Sequence, residues 1–182
     1  AGYDVVGLDY HADDPWEAIS EFKEFFHGYR KGHDSIILIA NSIGAYFSMC
    51  AFNYEQIDKA FFISPIVDME KLILDMMGWA DITEEKLREK QLITTGFGET
   101  LSWEYLCYVR NHPVNWSVPT YILYGDKDNL TSQETIHKFA DDVNAELTIM
   151  QNGEHWFHTA EQMSFLDGWI KKIHWIDIRQ GE

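Results

Sequence analysis

Three short segments of the chain carry residue types suited to nucleophilic acyl chemistry. The first is Ala40-Asn41-Ser42-Ile43-Gly44. It follows an apolar run and precedes a helical one, so Ser42 falls in a sharp strand-to-helix turn that lifts its hydroxyl clear of the sheet end. Small residues two before and two after let the chain turn without collision. The helix beyond aims its positive end at the turn, and the amide of Ile43 is placed to stabilise an oxyanion. The usual pattern is Gly-x-Ser-x-Gly, and Ala40 stands in place of its first glycine. Taken alone, a serine at this point also serves as an ordinary helix cap.

The second segment is Tyr124-Gly125-Asp126-Lys127-Asp128. A carboxylate just past a strand end can hold an imidazole in the correct tautomer. Asp128 is the first choice and Asp126 the reserve. In a chain with 30 acidic residues a solvated Gly-Asp turn is the plain alternative. The third segment is Gly153-Glu154-His155-Trp156-Phe157-His158. His155 lies in the loop proper, whereas His158 is nearer the next helix and suits a cap or a surface position. Ser, Asp and His each follow a different expected strand, in that chain order.

The elements that must position these residues follow from periodicity. Ser35 to Ala40, Lys59 to Ser64, Tyr121 to Tyr124 and Glu146 to Met150 are apolar, β-rich runs. Such runs suit strands covered on both faces, as in a parallel sheet. Tyr3 to Tyr10 reads as one more. Asp14 suits an N-cap, Pro15 the first helical position and Glu17 the third place of a capping box. Ile19, Phe22, Phe26 and Tyr29 then mark one face of a helix ending near Gly32. Further helices are expected over Ala45 to Phe52, Ser132 to Val143 and Thr159 to Ile173. Alternating strands and helices argue for an α/β fold with a mainly parallel central sheet flanked by helices. The chain reads as a single domain over 1–182, with 66–118 a helical cap insertion that contains no convincing strand. The insertion is too long for a simple loop.

Composition narrows the partners. Asp and Glu number 30 against 14 Lys and Arg, for a formal charge of −16. Such a surface repels phosphate backbones and anionic membranes, so neither nucleic acid nor a membrane is expected as a partner. No apolar run approaches the ~20 residues that span a bilayer. Cys50 and Cys107 are the two cysteines, which reads as a reducing, cytoplasmic compartment. No metal and no cofactor is expected.

On Ser42, Gly44, Gly125, Asp128, Gly153 and His155, and on the segments Asp126 to Ser132 and Gly153 to His158, the region Tyr3 to about Ile173 resembles an α/β-hydrolase of the small serine-esterase branch. The resemblance departs at Ala40. It implies that Tyr3 to Tyr10 matches the family's fourth strand, so the chain reads as N-terminally truncated. The family's His-Gly loop, whose amide gives the second oxyanion donor, has no match here. The strand that would lie beside Ser35 to Ala40 has none either, so the open edge invites direct pairing with Tyr3 to Tyr10 or a homo-oligomer.

The resemblance implies a serine hydrolase that cleaves small-molecule carboxylic esters through an acyl-enzyme. Ser42 is then the nucleophile, His155 the base, Asp128 its orienting acid and Ile43 an oxyanion donor. Asn41, Trp103 and Trp156 are candidate substrate contacts. Trp79, Phe97, Tyr105 and Tyr108 are further aromatics of the insertion, for most of which core packing is the weightier reading. Thioesterase, peptidase and acyltransferase chemistry stay open on the same three residues, as does a hydrolase-like binding or regulatory protein without turnover.

Overall fold

The computed structural model describes residues 4–52 and 56–180, with side chains as far as residue 172. Its centre is a four-stranded, wholly parallel sheet. In chain order the strands are β1 (Ile37–Asn41), β2 (Lys59–Ile63), β5 (Thr120–Gly125) and β6 (Glu146–Met150), and they lie side by side in that order. Between β2 and β5 a two-stranded antiparallel hairpin forms from β3 (Leu92–Thr94) and β4 (Thr100–Ser102). The helices are α1 (Pro15–Arg30), α2 (Ser42–Ala51), α3 (Met69–Trp79), α4 (Glu84–Lys90), α5 (Trp103–Asn111), α6 (Gln133–Asp142) and α7 (Ala160–Gln180).

The unbroken apolar strands are explained by two separate cores. On β2, Ala60 and Phe62 face one side of the sheet and Phe61 the other; on β5, Ile122 and Tyr124 alternate with Leu123. The larger core takes Phe22 of α1, Tyr46 and Phe47 of α2, and Ile136 and Ala140 of α6. The smaller one packs Phe61 and Leu123 against Trp169 of α7. Period-two alternation of the strand thus feeds both faces, as a parallel sheet requires.

Helix starts follow their local chemistry. The side chain of Asp14 accepts the amide of Glu17 at 3.0 Å, with Pro15 opening α1. Asp68, Thr83, Ser102 and Ser132 cap α3, α4, α5 and α6 in the same way. On α1, Phe22 is buried and Ile19 and Phe26 pack on the core, whereas Tyr29 stays exposed beside Phe25. Arg110 of α5 donates to Glu70 of α3 at 2.7 Å and to both oxygens of Glu84 of α4, binding the three helices between β2 and β5 to one another.

Three sequence expectations are corrected. Residues 4–10 form no strand, and Tyr3 lies outside the described residues. No described strand pairs with this segment; Val5 is 90% exposed, while Leu8 and Tyr10 still pack on the main core. A β-rich run without a partner for its backbone groups stays extended and unladdered. For the same reason β1 is an edge strand: its expected double cover fails at Ile39, which is 54% exposed. Finally, the segment expected to lack strands contains the β3–β4 hairpin. Its three-residue arms are too short to show a period, and its turn is closed by Thr95 and Glu99, with Gly98 at φ 99°.

Buried phenols give this fold a pH limit. Burial holds Tyr46 and Tyr105 far above the usual value of 10 and pushes Tyr124 up to about 12. A group whose pKa is raised by folding contributes stability below its unfolded value, and that contribution is lost as pH climbs through the folded value. Urea midpoints are therefore expected to fall from pH 10 upward, and to fall less in Tyr124→Phe across the window from 10 to about 12. Equal declines for the two proteins would show that Tyr124 is not held neutral.

Candidate active site

The carboxyl ends of β1, β5 and β6 deliver the three segments to one edge of the sheet, where parallel sheets carry their sites. After β1 the chain enters α2 with Ser42 at φ 48°, in the left-handed region. For a residue with a Cβ this costs roughly 1–3 kcal/mol, and it is retained where the surroundings fix it. One fixing contact is the amide of Ile66, which donates to the Ser42 carbonyl at 3.1 Å. Gly44 lies beside Tyr10, whose hydroxyl is 3.6 Å from where a Cβ would stand, an ordinary van der Waals distance. Ala40 is a half-buried strand residue that keeps its place in the sheet opposite Phe62 of β2.

Ser42 Oγ lies 2.8 Å from His155 Nε2, and His155 Nδ1 lies 2.8 Å from Asp128 Oδ2. The side chains of His155 and Asp128 are 2% and 0% exposed. An ionised carboxylate has no proton to give, so Nδ1 carries the ring proton and donates it to Asp128. Nε2 is then free to accept from the Ser42 hydroxyl. The other oxygen of Asp128 accepts the amides of Leu130 at 2.8 Å and Thr131 at 3.0 Å.

The reserve candidates have other tasks. Asp126 accepts the amide of Asn152 at 2.6 Å, tying the β5 loop to the β6 loop. His158 is exposed and turns to the Trp156 carbonyl at 2.7 Å and to Glu154. Ile43 occupies the second position of α2, where a helix amide has no acceptor within the helix. Asn41 and Trp156 join His155 in lining a cavity of about 270 Å³, with Ile39, Ile63 and Met163 among its apolar walls. Trp156 is 66% exposed, and its ring meets that of His155 edge to face. Trp103 packs on the main core and lies outside that cavity. A larger space of about 370 Å³, between α1 and α5, is lined by none of the three central residues. Tyr105 and Tyr108 pack edge to face on Trp16, and Trp79 on Phe97. Among the described residues no cluster of three His, Cys, Asp or Glu side chains could hold a metal ion.

Two supports were not singled out in the sequence. Gln162 on α7 is buried; it accepts the amide of His158 at 3.0 Å and donates to the Asn152 carbonyl at 3.4 Å, bracing the loop that carries His155. Its only sequence signal is position, three residues after Thr159, whose hydroxyl accepts the Gln162 amide at 3.2 Å. Thr131 is the second, and its hydroxyl reaches the Pro65 carbonyl at 3.1 Å.

No protein-family model matches the chain, and no curated protein does. Solved structures do. Est1E from Butyrivibrio proteoclasticus is 17% identical at a TM-score of 0.65, over 88% of this chain and 71% of that one. Alpha/beta hydrolase domain-containing protein 10 from mouse is 15% identical at 0.62, over 85% and 70%. The esterase Pf2001 of Pyrococcus furiosus is 18% identical at 0.54, over 92% and 63%. At these identities the likeness is one of fold: the chain has the α/β-hydrolase fold.

The loops of Asp128 and His155 meet at two glycines. A Cβ on Gly125 would stand 2.3 Å from the Gly153 carbonyl oxygen, and one on Gly153 would stand 2.9 Å from the Gly125 Cα. Gly125→Ala is expected to lower the unfolding free energy by roughly 1–3 kcal/mol, as overpacking does. Gly28→Ala, in open space on α1, should instead raise it by about 0.5–1 kcal/mol through helix propensity. Urea denaturation reads both, and an unchanged midpoint for Gly125→Ala would mean the two loops separate freely.

Proposed function

We propose that the chain is a serine hydrolase that cleaves small-molecule carboxylic esters through an acyl-enzyme. The observation that carries this is the Ser42–His155–Asp128 chain of hydrogen bonds. In the first half, Ser42 Oγ attacks the acyl carbon while its proton passes to His155 Nε2. The acyl–oxygen bond then breaks as that proton moves to the departing alkoxide. In the second half a water gives its proton to His155, attacks the acyl carbon and releases the acid, and Ser42 regains a proton. Asp128 holds the ring and stabilises the imidazolium in each half. The amide of Ile43 faces the developing oxyanion.

The ester preference rests on that oxyanion support. Each donor to a tetrahedral intermediate is worth about 10²–10³ in turnover, and the amide of Ile43 is the donor that the turn at Ser42 itself supplies. Esters have a better leaving group than amides and need less of that support; thioester cleavage and acyl transfer use the same three groups. Asn41 and Trp156 are assigned to the acyl or alcohol group because they line the cavity beside His155. Trp103, which packs on the core, is retained only as a contact of a larger substrate.

We further place the protein in the cytoplasm, on the ground that Cys50 and Cys107 are free thiols. No helix among the described residues is long and apolar enough to cross a membrane. The charge of −16 disfavours nucleic acid. A second copy is our proposed occupant of the β1 edge, since Ile37–Asn41 carries neither proline nor charge to blunt it and Ile39 stands exposed.

Ser42→Ala should lower hydrolysis of a short p-nitrophenyl ester by roughly 10⁴–10⁶ with the fold intact, and a fluorophosphonate should label the wild type alone. His155→Ala should abolish turnover where His158→Ala does not, and Asp128→Asn should cost far more than Asp126→Asn. A wild type that neither labels nor turns over ester would replace this reading with that of a binding protein. For the β1 edge, light scattering across a dilution series should show a dimer, favoured by salt that screens the shared negative charge. A monomer at all concentrations removes that proposal.

A further inference from the structure

The hydrogen bonds at the site close into a ring. Ser42 Oγ meets His155 Nε2 at 2.8 Å, and His155 Nδ1 donates to Asp128 at 2.8 Å. Asp128 Oδ1 accepts the amide of Thr131 at 3.0 Å. The Thr131 hydroxyl donates to the Pro65 carbonyl at 3.1 Å, and the next residue, Ile66, donates its amide back to the Ser42 carbonyl at 3.1 Å. The ring therefore begins at the side chain of Ser42 and returns to its backbone.

We propose that Thr131 is a positioning residue for the reaction at Ser42: it sets the distance between the acid loop and the nucleophile turn. The proposal rests on the hydrolase reading above. Leu130, the other donor to Asp128, belongs to the same loop and moves with it. The Thr131 hydroxyl instead fastens that loop to the turn after β2. That turn is itself locked: Ser64 is buried at φ 43°, and its amide donates to the Leu123 carbonyl at 2.8 Å. Thr131 is also held from behind, because the buried Tyr124 hydroxyl donates to its carbonyl at 2.8 Å. All three polar groups of one buried threonine are thus committed, each to a different partner. A side chain needed only to fill space would be better served by valine, which has the same shape and no hydroxyl to satisfy.

The test compares Thr131→Val and Thr131→Ser with the wild type. In Thr131→Val the Pro65 carbonyl loses its donor, and the acid loop, with Asp128 still held by the amides of residues 130 and 131, loses its tie to the turn after β2. A displacement of the catalytic groups on the order of 1 Å costs up to about 10²-fold, so kcat should fall roughly 10- to 100-fold with KM unchanged. Thr131→Ser keeps the donor and should restore kcat to near the wild-type value. Active-site titration with a fluorophosphonate counts competent molecules, so a loss from misfolding shows as fewer sites and a loss from positioning as slower ones.

Proton NMR supplies a reading that needs no turnover. The downfield resonance of the His155 Nδ1 proton should weaken or move upfield in Thr131→Val and persist in Thr131→Ser. A Thr131→Val protein with wild-type kcat per titrated site, a Thr131→Ser protein as impaired as the valine variant, or an unmoved resonance would each overturn the proposal. If the wild type fails to label at Ser42, the hydrolase reading falls, and the resonance still decides whether Thr131 holds Asp128 to His155.

Discussion

The close approach of Gly125 and Gly153 is the constraint on which the site depends. These glycines end one loop's strand and begin the other's working segment, and their backbones meet with no space for a methyl group. The contact is made polar as well as tight: the amide of Lys127 donates to the Gly153 carbonyl at 2.8 Å, and Asp126 takes the Asn152 amide. Two loops whose glycines lie 28 residues apart in sequence are therefore tied to one another at their bases. Only then can Asp128 and His155 meet at 2.8 Å while both side chains are almost wholly withdrawn from water.

That withdrawal is what makes the geometry useful. A carboxylate removed from solvent is costly unless its oxygens are satisfied. Asp128 has three donors: two backbone amides on one oxygen and the imidazole on the other. The amides cannot rotate away, so the remaining oxygen is left pointing at a single place, and the imidazole that fills it has its tautomer decided. The serine is fixed from the opposite side by backbone strain, since φ 48° is held against its own preference by the Ile66 bond and by the start of α2. Position is thus imposed on each group first by covalent and backbone terms, which are stiff; the side chains of Thr131 and Gln162 fasten the loops, and two side-chain hydrogen bonds link the three groups.

This division explains what the sequence could and could not show. Ser42, Asp128 and His155 were legible because each follows an apolar strand by a fixed short step, and a parallel sheet brings all such steps to the same edge. Asp14 before Pro15 was legible for the same local reason. Gly125 and Gly153 could be noticed as glycines, but their meeting is a tertiary event that no spacing encodes. Thr131 and Gln162 are ordinary polar residues in sequence; their roles come from carbonyls at Pro65 and Asn152 that the fold carries to them. Residues 4–10 mark the converse failure. Val5, Val6 and Leu8 have the composition of a strand, but strand formation is a property of pairs, and here only the outer half of the pair is written in the run itself.

The same logic bears on chemistry. In the proposed hydrolase the three residues would supply a nucleophile and a place to store a proton, and β1, β5, β6 and their loops bring them into hydrogen-bond contact. Stabilising the oxyanion is a separate function with its own donors, of which the amide of Ile43 is fixed by α2 simply because it follows Ser42. The relay governs whether an acyl-enzyme can form; the oxyanion donors govern how poor a leaving group can be expelled. On the hydrolase reading proposed above, an ester asks less of those donors than an amide does, because its leaving group is the better one. The half-open cavity beside His155, walled by Ile39, Ile63 and Met163 with Asn41 at its polar rim, would then select among esters by the shape of the apolar group rather than by charge. In a molecule whose surface carries a large negative excess, an uncharged substrate is also the one that approaches without electrostatic cost.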